Sequence, residues 1–270
     1  MNGTYISAFA HSTVIELSQE NKVLFEMLCE FAENCELEGR SAVELNGNSI
    51  ESGDCCGFIR LVDGTLIEIL PNVQSDDVNA ARENLCRSFC SRIGYGFGDS
   101  RLSESANFME YFISVFAAES MKIIKSGVLS AYLTREENMT SVQGTIMFAE
   151  NMRKNLTHRE RLYVRHEVFS PDRAENRLMK AAAQKLMKLT EDPRSSQLLK
   201  QVTAFLDEVK PLRNPAEEFS KCVNTRNTKK YSAVLEICRM LFDRHTGTAF
   251  SGKYVSCALL FDSVCQDLKI

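Results

Sequence analysis

No stretch of the sequence approaches the ~20 consecutive apolar residues that span a bilayer, and Met1 to Glu20 is polar and acidic, not a basic segment leading into an apolar run. The chain therefore reads as a cytoplasmic protein with no membrane partner. A basic excess is also missing. Thirty-two Lys and Arg stand against 36 Asp and Glu, a net charge of −4, which argues against a broad face for nucleic acid. There are ten cysteines but no CxxC pair: Cys55 and Cys56 are adjacent and Cys86 and Cys90 lie four apart. The four histidines, His11, His158, His166 and His245, are scattered. No zinc set of usual spacing results, and the thiols are expected to be reduced, buried, small apolar residues. The phosphate-binding pattern Gly-x-x-x-x-Gly-Lys-Ser/Thr is absent, so this chain is not expected to bind GTP. The triplet GYGFG at Gly94, Gly96 and Gly98 follows a helix-like segment, not a strand, and reads as a connection.

What is present is an ordinary globular composition, 44% hydrophobic and 25% charged over 270 residues, enough for one large domain or two modest ones. Apolar spacing predicts a helix from Val14 to Ala32. Between Arg40 and Val73, short apolar runs (Ala42–Leu45, Phe58–Val62, Leu66–Leu70) alternate with Asn46-Gly47-Asn48, Ser52-Gly53-Asp54 and Asp63-Gly64. This predicts a small antiparallel sheet with a hairpin turn at Gly64, closed by Pro71. Helices are expected over Asp76–Ile93 and Ser103–Lys125, the second with Gly127 as its C-cap. Leu129–Thr134, Thr145–Phe148 (introduced by Gly144) and Tyr163–Phe169 read as strands, and Ala149–Asn155 as a helical turn. Ser170-Pro171-Asp172 supplies capping groups for a helix over Arg173–Thr190. Further helices are expected from Ser195 or Ser196 to Val209 and over Lys230–Arg244. His158 and His166 flank a region with Arg159, Arg161 and Arg165, which reads either as an exposed polar hairpin or as a contact surface for an acidic partner or a DNA backbone.

Three stretches in order, Gly57–Val73 (GFIRLVDGTLIEILPNV), Leu133–Asn155 leading through Phe169–Leu186, and Asn224–Phe242 followed by Gly252–Asp262, resemble the McrC subunit of modification-dependent McrBC restriction systems. The middle stretch carries Arg-Glu-x-Asn from Arg135, a Gly-x-Ile strand from Gly144, the basic pair Arg153-Lys154, then Asp172-x-x-x-Asn176-Arg177 opening a helix. The resemblance implies an α+β fold, with a small antiparallel hairpin or finger combined with a helical domain. It also implies a partner, an McrB-like AAA+ GTPase ring that holds the GTP and Mg, into whose pore this chain inserts an elongated part to stimulate hydrolysis. DNA would be reached indirectly, through the complex. By that resemblance Arg135, Arg153, Lys154 and Arg177 are the candidates for partner binding or stimulation, and Gly64, Pro71, Gly144, Asp172 and Asn176 are structural motif residues.

The family's PD-(D/E)xK nuclease needs two acidic residues and a Lys on adjacent strands to hold metal. Here eight residues follow Asp262, so no catalytic or metal-binding residues are expected, with Asp262 or Asp267 at most a remnant of the leading helix. Glu208-Val209-Lys210, downstream of Asp192, has a Glu-x-Lys form but reads as a solvated helix end. The expected organisation is a helical segment 1–38, a mixed partner-binding region 39–168, a helical region 169–262 and a nuclease remnant 263–270. Two other readings stay open: the N-terminal part of an endonuclease whose cutting domain is truncated or separately encoded, and an unrelated DNA-binding or adaptor protein.

Overall fold

The computed structural model describes residues 4–19, 21–34, 36–37, 40–41, 43–72, 77–97, 105–242, 249–250 and 253–262. Gly98, His245, Asp267 and segment 263–270 lie outside them. The fold is α+β, as expected. Its centre is a five-stranded mixed sheet in the order β1 (Tyr5–Phe9), β8 (Leu66–Leu70), β7 (Cys55–Leu61), β13 (Val255–Asp262), β12 (Ala249–Phe250). β1 runs parallel to β8 and the remaining pairs are antiparallel. The sheet thus draws strands from three of the segments that the sequence reading separates.

Both faces of this sheet are covered, which is why its strands read as nearly continuous apolar runs. Phe58, Leu66, Leu70, Leu259 and Phe261 face α2 (Val78–Arg92), α3 (Phe108–Lys125) and the helices beyond. Ile59, Ile67, Ile69, Ala258 and Leu260 face α1 (Lys22–Asn34) and a second sheet, β2 (Thr13–Glu16), β6 (Ser49–Ser52) and β5 (Val43–Asn46). The helical layer continues with α5 (Ala174–Leu186), α6 (Pro193–Phe205), α7 (Pro215–Lys221) and, after a 3-10 turn over Lys229–Tyr231, α8 (Ser232–Phe242). The strand pair β3 (Glu36–Leu37) and β4 (Arg40–Ser41) completes the body.

Several local expectations are corrected. The first helix begins at Lys22; β-branched Thr13, Val14 and Ile15 instead lie in β2, which pairs with β6. Asn21 closes the turn between them, its Oδ1 accepting from Ser18 N at 2.7 Å and its Nδ2 donating to Glu16 O at 2.7 Å. The single small sheet expected over Arg40–Val73 divides after Ser52, with β5–β6 joining β2 and β7–β8 joining the central sheet. α6 starts at Pro193, because Asp192 accepts from Arg194 N and Ser195 N, and it ends at Phe205. The Ala-Leu-Leu-Phe run at 258–261 is buried within β13 against elements that precede it, and Asp262 is a strand residue opposite Cys55, not the start of a helix. Gly64 takes the expected positive φ, +94°, whereas Asp63 beside it does not and instead accepts from Thr65 N at 2.8 Å. Pro71 is buried just past β8.

Glu68, in the middle of β8, is fully buried on the helical face. Arg82 of α2 donates to it from Nη2 at 2.8 Å and from Nε at 3.1 Å, Tyr5 of β1 donates its hydroxyl, and the N–H of Phe108, at the start of α3, donates at 2.6 Å. Removing one partner of such a pair strands a buried charge, at about 3–5 kcal/mol. Arg82→Leu is therefore expected to destabilise the chain by about that amount in denaturant titration. A loss near zero would show that Glu68 does not organise the body.

Candidate functional site: an exposed finger and its root

Residues 131–170 leave the body as a finger. Two nine-residue strands, β9 (Ala131–Met139) and β11 (Leu162–Ser170), pair antiparallel along their whole length, with the two-residue β10 (Thr145–Ile146) beside β11. At ~3.3 Å per residue each strand is about 30 Å long. The sequence reading placed the first strand too early and too short. It also read Met147-Phe148 as strand, whereas α4 (Phe148–Lys154) begins there. Val164 is the one buried apolar residue of the described finger.

With so little apolar core, polar contacts shape the far end. Asn155 donates from Nδ2 to Asn138 Oδ1 at 2.7 Å and to Asn151 Oδ1 at 2.8 Å, while Asn151 Oδ1 also accepts from Tyr163 N at 2.9 Å. These bonds tie α4 to both strands. Gly144 sits at φ +73°, where a Cβ would lie 2.3 Å from the carbonyl oxygen of Arg165. Only glycine fits both that backbone and that approach.

The charges sort into two sets. Arg165 pairs with Glu136 directly across the strands at 2.6 Å, and His166 contacts Glu137 at 2.8 Å. Lys154 lies over the Tyr163 ring at 3.8 Å, and His158 contacts Glu160 at 3.2 Å. Arg135 on β9 and Arg153 on α4 are exposed, and their side chains make no hydrogen bond or ion pair with another described residue. Beside Arg153 runs a feature that the sequence reading missed: Phe148, Met152 and Leu156, spaced by four, are 73%, 70% and 76% exposed, with Val142 also outward. Their spacing was the available signal, but it looks the same for a buried helical stripe. Tyr132 and Phe169, an exposed cross-strand aromatic pair, are 5.2 Å apart nearer the root.

The other motif residues gather at the root. Asp172 is not the cap of α5; the N-cap is Arg173, without a side-chain bond. Instead the Asp172 carboxylate accepts from Arg177 Nε at 2.7 Å and Lys210 N at 3.1 Å, and it faces the Lys210 ammonium at 3.4 Å. Arg177 also donates to Glu218 of α7 at 3.0 Å. Arg177 is thus engaged inside the chain, unlike Arg153. Asn176 donates from Nδ2 to Leu129 O at 2.8 Å and to Pro171 O at 2.7 Å, and its Oδ1 accepts from Tyr231 Oη at 2.8 Å. The Tyr231 oxygen in turn accepts from Leu129 N at 3.0 Å. Burial pushes the Tyr231 hydroxyl up to about 12, leaving it a neutral donor at neutral pH. Gly64 and Pro71 stand apart, in the turn between β7 and β8 and just past the end of β8.

Elsewhere, a cleft of about 580 Å³ between the starts of α3 and α6 holds Glu110, Glu191 and Asp192. Glu110 is taken up by Thr190 Oγ1 at 2.6 Å and Glu191 N at 2.7 Å, and Asp192 caps α6. Glu208 of the Glu-x-Lys triplet is exposed. Among the described residues no group of three His, Cys, Asp or Glu is placed to hold a metal ion, and no helix is long and apolar enough to cross a membrane.

The class is a two-cored α+β body that carries a long, exposed finger with an apolar tip. The sequence matches the family described as McrBC 5-methylcytosine restriction system component over residues 50–263, and the chain belongs to that family. Membership sets aside the reading as an unrelated DNA-binding or adaptor protein. In fold it is similar to a chain of the cryo-EM structure of the Thermococcus gammatolerans McrBC complex, with TM-score 0.72 and 18% identity, covering 96% of this chain and 83% of that one. It is also similar to a chain of the refined half-complex from a tetradecameric assembly of Thermococcus gammatolerans McrB AAA+ hexamers with bound McrC, with TM-score 0.69 and 18% identity, covering 96% and 67%. No curated protein matches the sequence.

Burial raises the pKa of Asp172, but the hydrogen bonds and charges of Arg177 and Lys210 outweigh it and hold the carboxyl below its usual range. A carboxylate depressed in the folded state stabilises above its unfolded pKa, and the stabilisation is lost as pH falls through the folded value. Asp172→Asn is thus expected to cost about 2 kcal/mol at neutral pH. The gap from wild type should close below about pH 4. Denaturation of both proteins across pH checks this, and a gap that widens in acid would refute it.

Proposed function

We propose that this chain is an McrC-type subunit that seats its finger in the central channel of an McrB-type AAA+ GTPase ring and raises the ring's GTP hydrolysis. The ring holds the GTP and Mg, this chain binds neither, and the complex works in the cytoplasm, meeting DNA through its other parts. The observation that carries the proposal is the apolar stripe Phe148, Met152 and Leu156 held in water on an exposed finger, with Arg153 beside it. Family membership, and the likeness to a chain from an assembly of McrB hexamers with bound McrC, support that choice of partner.

The chemistry divides between affinity and rate. Apolar tip residues supply contact area, and desolvated side chains of this kind dominate binding energy. Stimulation of a nucleoside triphosphatase requires a donor that neutralises charge at the γ-phosphate, or ordering of the ring's own catalytic groups. Arg153 and Arg135 are available for either role. Arg177 would first have to leave Asp172 and Glu218.

Purified chain mixed with its cognate ring should co-elute on sizing and accelerate GTP turnover. Met152→Asp is expected to weaken the complex about 30-fold, the scale of a ~2 kcal/mol hot spot. Arg153→Ala should lower saturated turnover about tenfold, corresponding to ~1.4 kcal/mol, with the complex retained. Wild type that gives neither a complex nor a rate increase would sink the proposal.

A further inference from the structure

We infer that Asn176 and Tyr231 are positioning residues: together they clamp both strand ends of the finger to the helical body, so that the tip is aimed as well as presented. The inference rests on the docking role proposed above and concerns how that role is executed.

The chain enters the finger at Leu129 and returns at Pro171. Asn176, in the first turn of α5, spends both of its amide hydrogens on the two carbonyls at these points. Tyr231, in the turn before α8, takes the N–H of Leu129 and gives its own hydrogen to the Asn176 oxygen. Both polar groups of the Leu129 backbone, and every polar atom of the Asn176 side chain, are used in one closed network. Both side chains are fully buried. Asp172, one residue past Pro171, is fastened to α5 by Arg177 and to the backbone of Lys210.

Little else fixes the finger's direction. Among the described strands, β9 and β11 pair only with one another and with β10, and with no strand of the body. On an arm of about 30 Å, a pivot of ~10° at the root moves the tip by about 5 Å. Apolar contact tolerates such play, whereas placing a donor at a reacting phosphate does not, since about 1 Å of misplacement can cost ~100-fold. Loosening the clamp should therefore separate rate from affinity.

Tyr231→Phe keeps the packed ring and removes the hydroxyl, and Asn176→Ser serves as a second variant. With the cognate ring, each is expected to lower maximal GTP turnover about tenfold while the concentration for half-maximal stimulation moves less than about threefold. A readout independent of the ring is the distance distribution between spin labels placed by noncanonical amino acids at positions 152 and 201, which should broaden in both variants. An unchanged distribution with unchanged turnover overturns the inference. So do parallel losses of binding and turnover, or unfolding of both variants at the assay temperature, since either reduces the network to a structural tie. Failure of wild type to engage a ring would instead defeat the docking proposal, with the spin-label comparison still deciding whether the clamp aims the finger.

Discussion

The buried Glu68 carboxylate is the constraint from which the body is organised. A charge in the middle of a strand covered on both faces is tolerable only if it is fully paired, because desolvation outweighs anything less than complete hydrogen bonding. The pairing here recruits four different elements. β8 supplies the acid, α2 the guanidinium, β1 a phenol and α3 the N–H of its first residue, where the helix dipole also favours negative charge. A shift of either helix along the sheet would break one of these bonds, so Glu68 sets the register between the sheet and the helical layer as apolar packing alone would not.

From there the order runs outward. α3, once placed, carries Phe108, Phe112 and Phe116 into the core, and α5, α6 and α8 pack around it. α5 and the turn before α8 then present Asn176 and Tyr231 at the point where the finger departs. The finger thus inherits its position from the core through polar contacts at its root, and it is shaped internally by asparagines and a glycine. Stability and reach are separated: burial holds the body, and hydrogen bonds hold the finger.

Turns and amphipathic helices were legible in the sequence because their physics is local. Asp63-Gly64 and Asn46-Gly47 announce positive φ, and the spacing of Phe108, Phe112, Val115 and Phe116 announces a buried helical face. Partners distant in the chain were not legible. Nothing near Tyr5–Phe9 says that it lies parallel to Leu66–Leu70, nor near Val255–Asp262 that it pairs with Cys55–Leu61. Nothing in the run Leu-Ile-Glu-Ile-Leu says that Glu68 is buried. The family-like motif residues were found, but their roles needed geometry: Asp172 looked like a cap and is an ion-pair partner of Arg177. Tyr231 lay within the expected helix over Lys230–Arg244, and its hydroxyl closes the root network.

The tip inverts the usual relation between hydrophobicity and burial. Phe148, Met152 and Leu156 repeat at the interval that elsewhere in this chain buries a helix face, yet α4 lies on a finger with no apolar layer opposite that stripe. Scattered exposed apolar residues are ordinary; a contiguous stripe at the end of a projecting element is not. It adds nothing to folding, because the water it displaces within the chain is negligible, and it exposes the chain to unwanted association. Such a stripe is energetically sensible only when it is buried in a complex. The asparagine ties and the clamped root then have a common purpose, since the conformational entropy of a wandering finger would otherwise be lost on binding and subtracted from the affinity that the stripe provides.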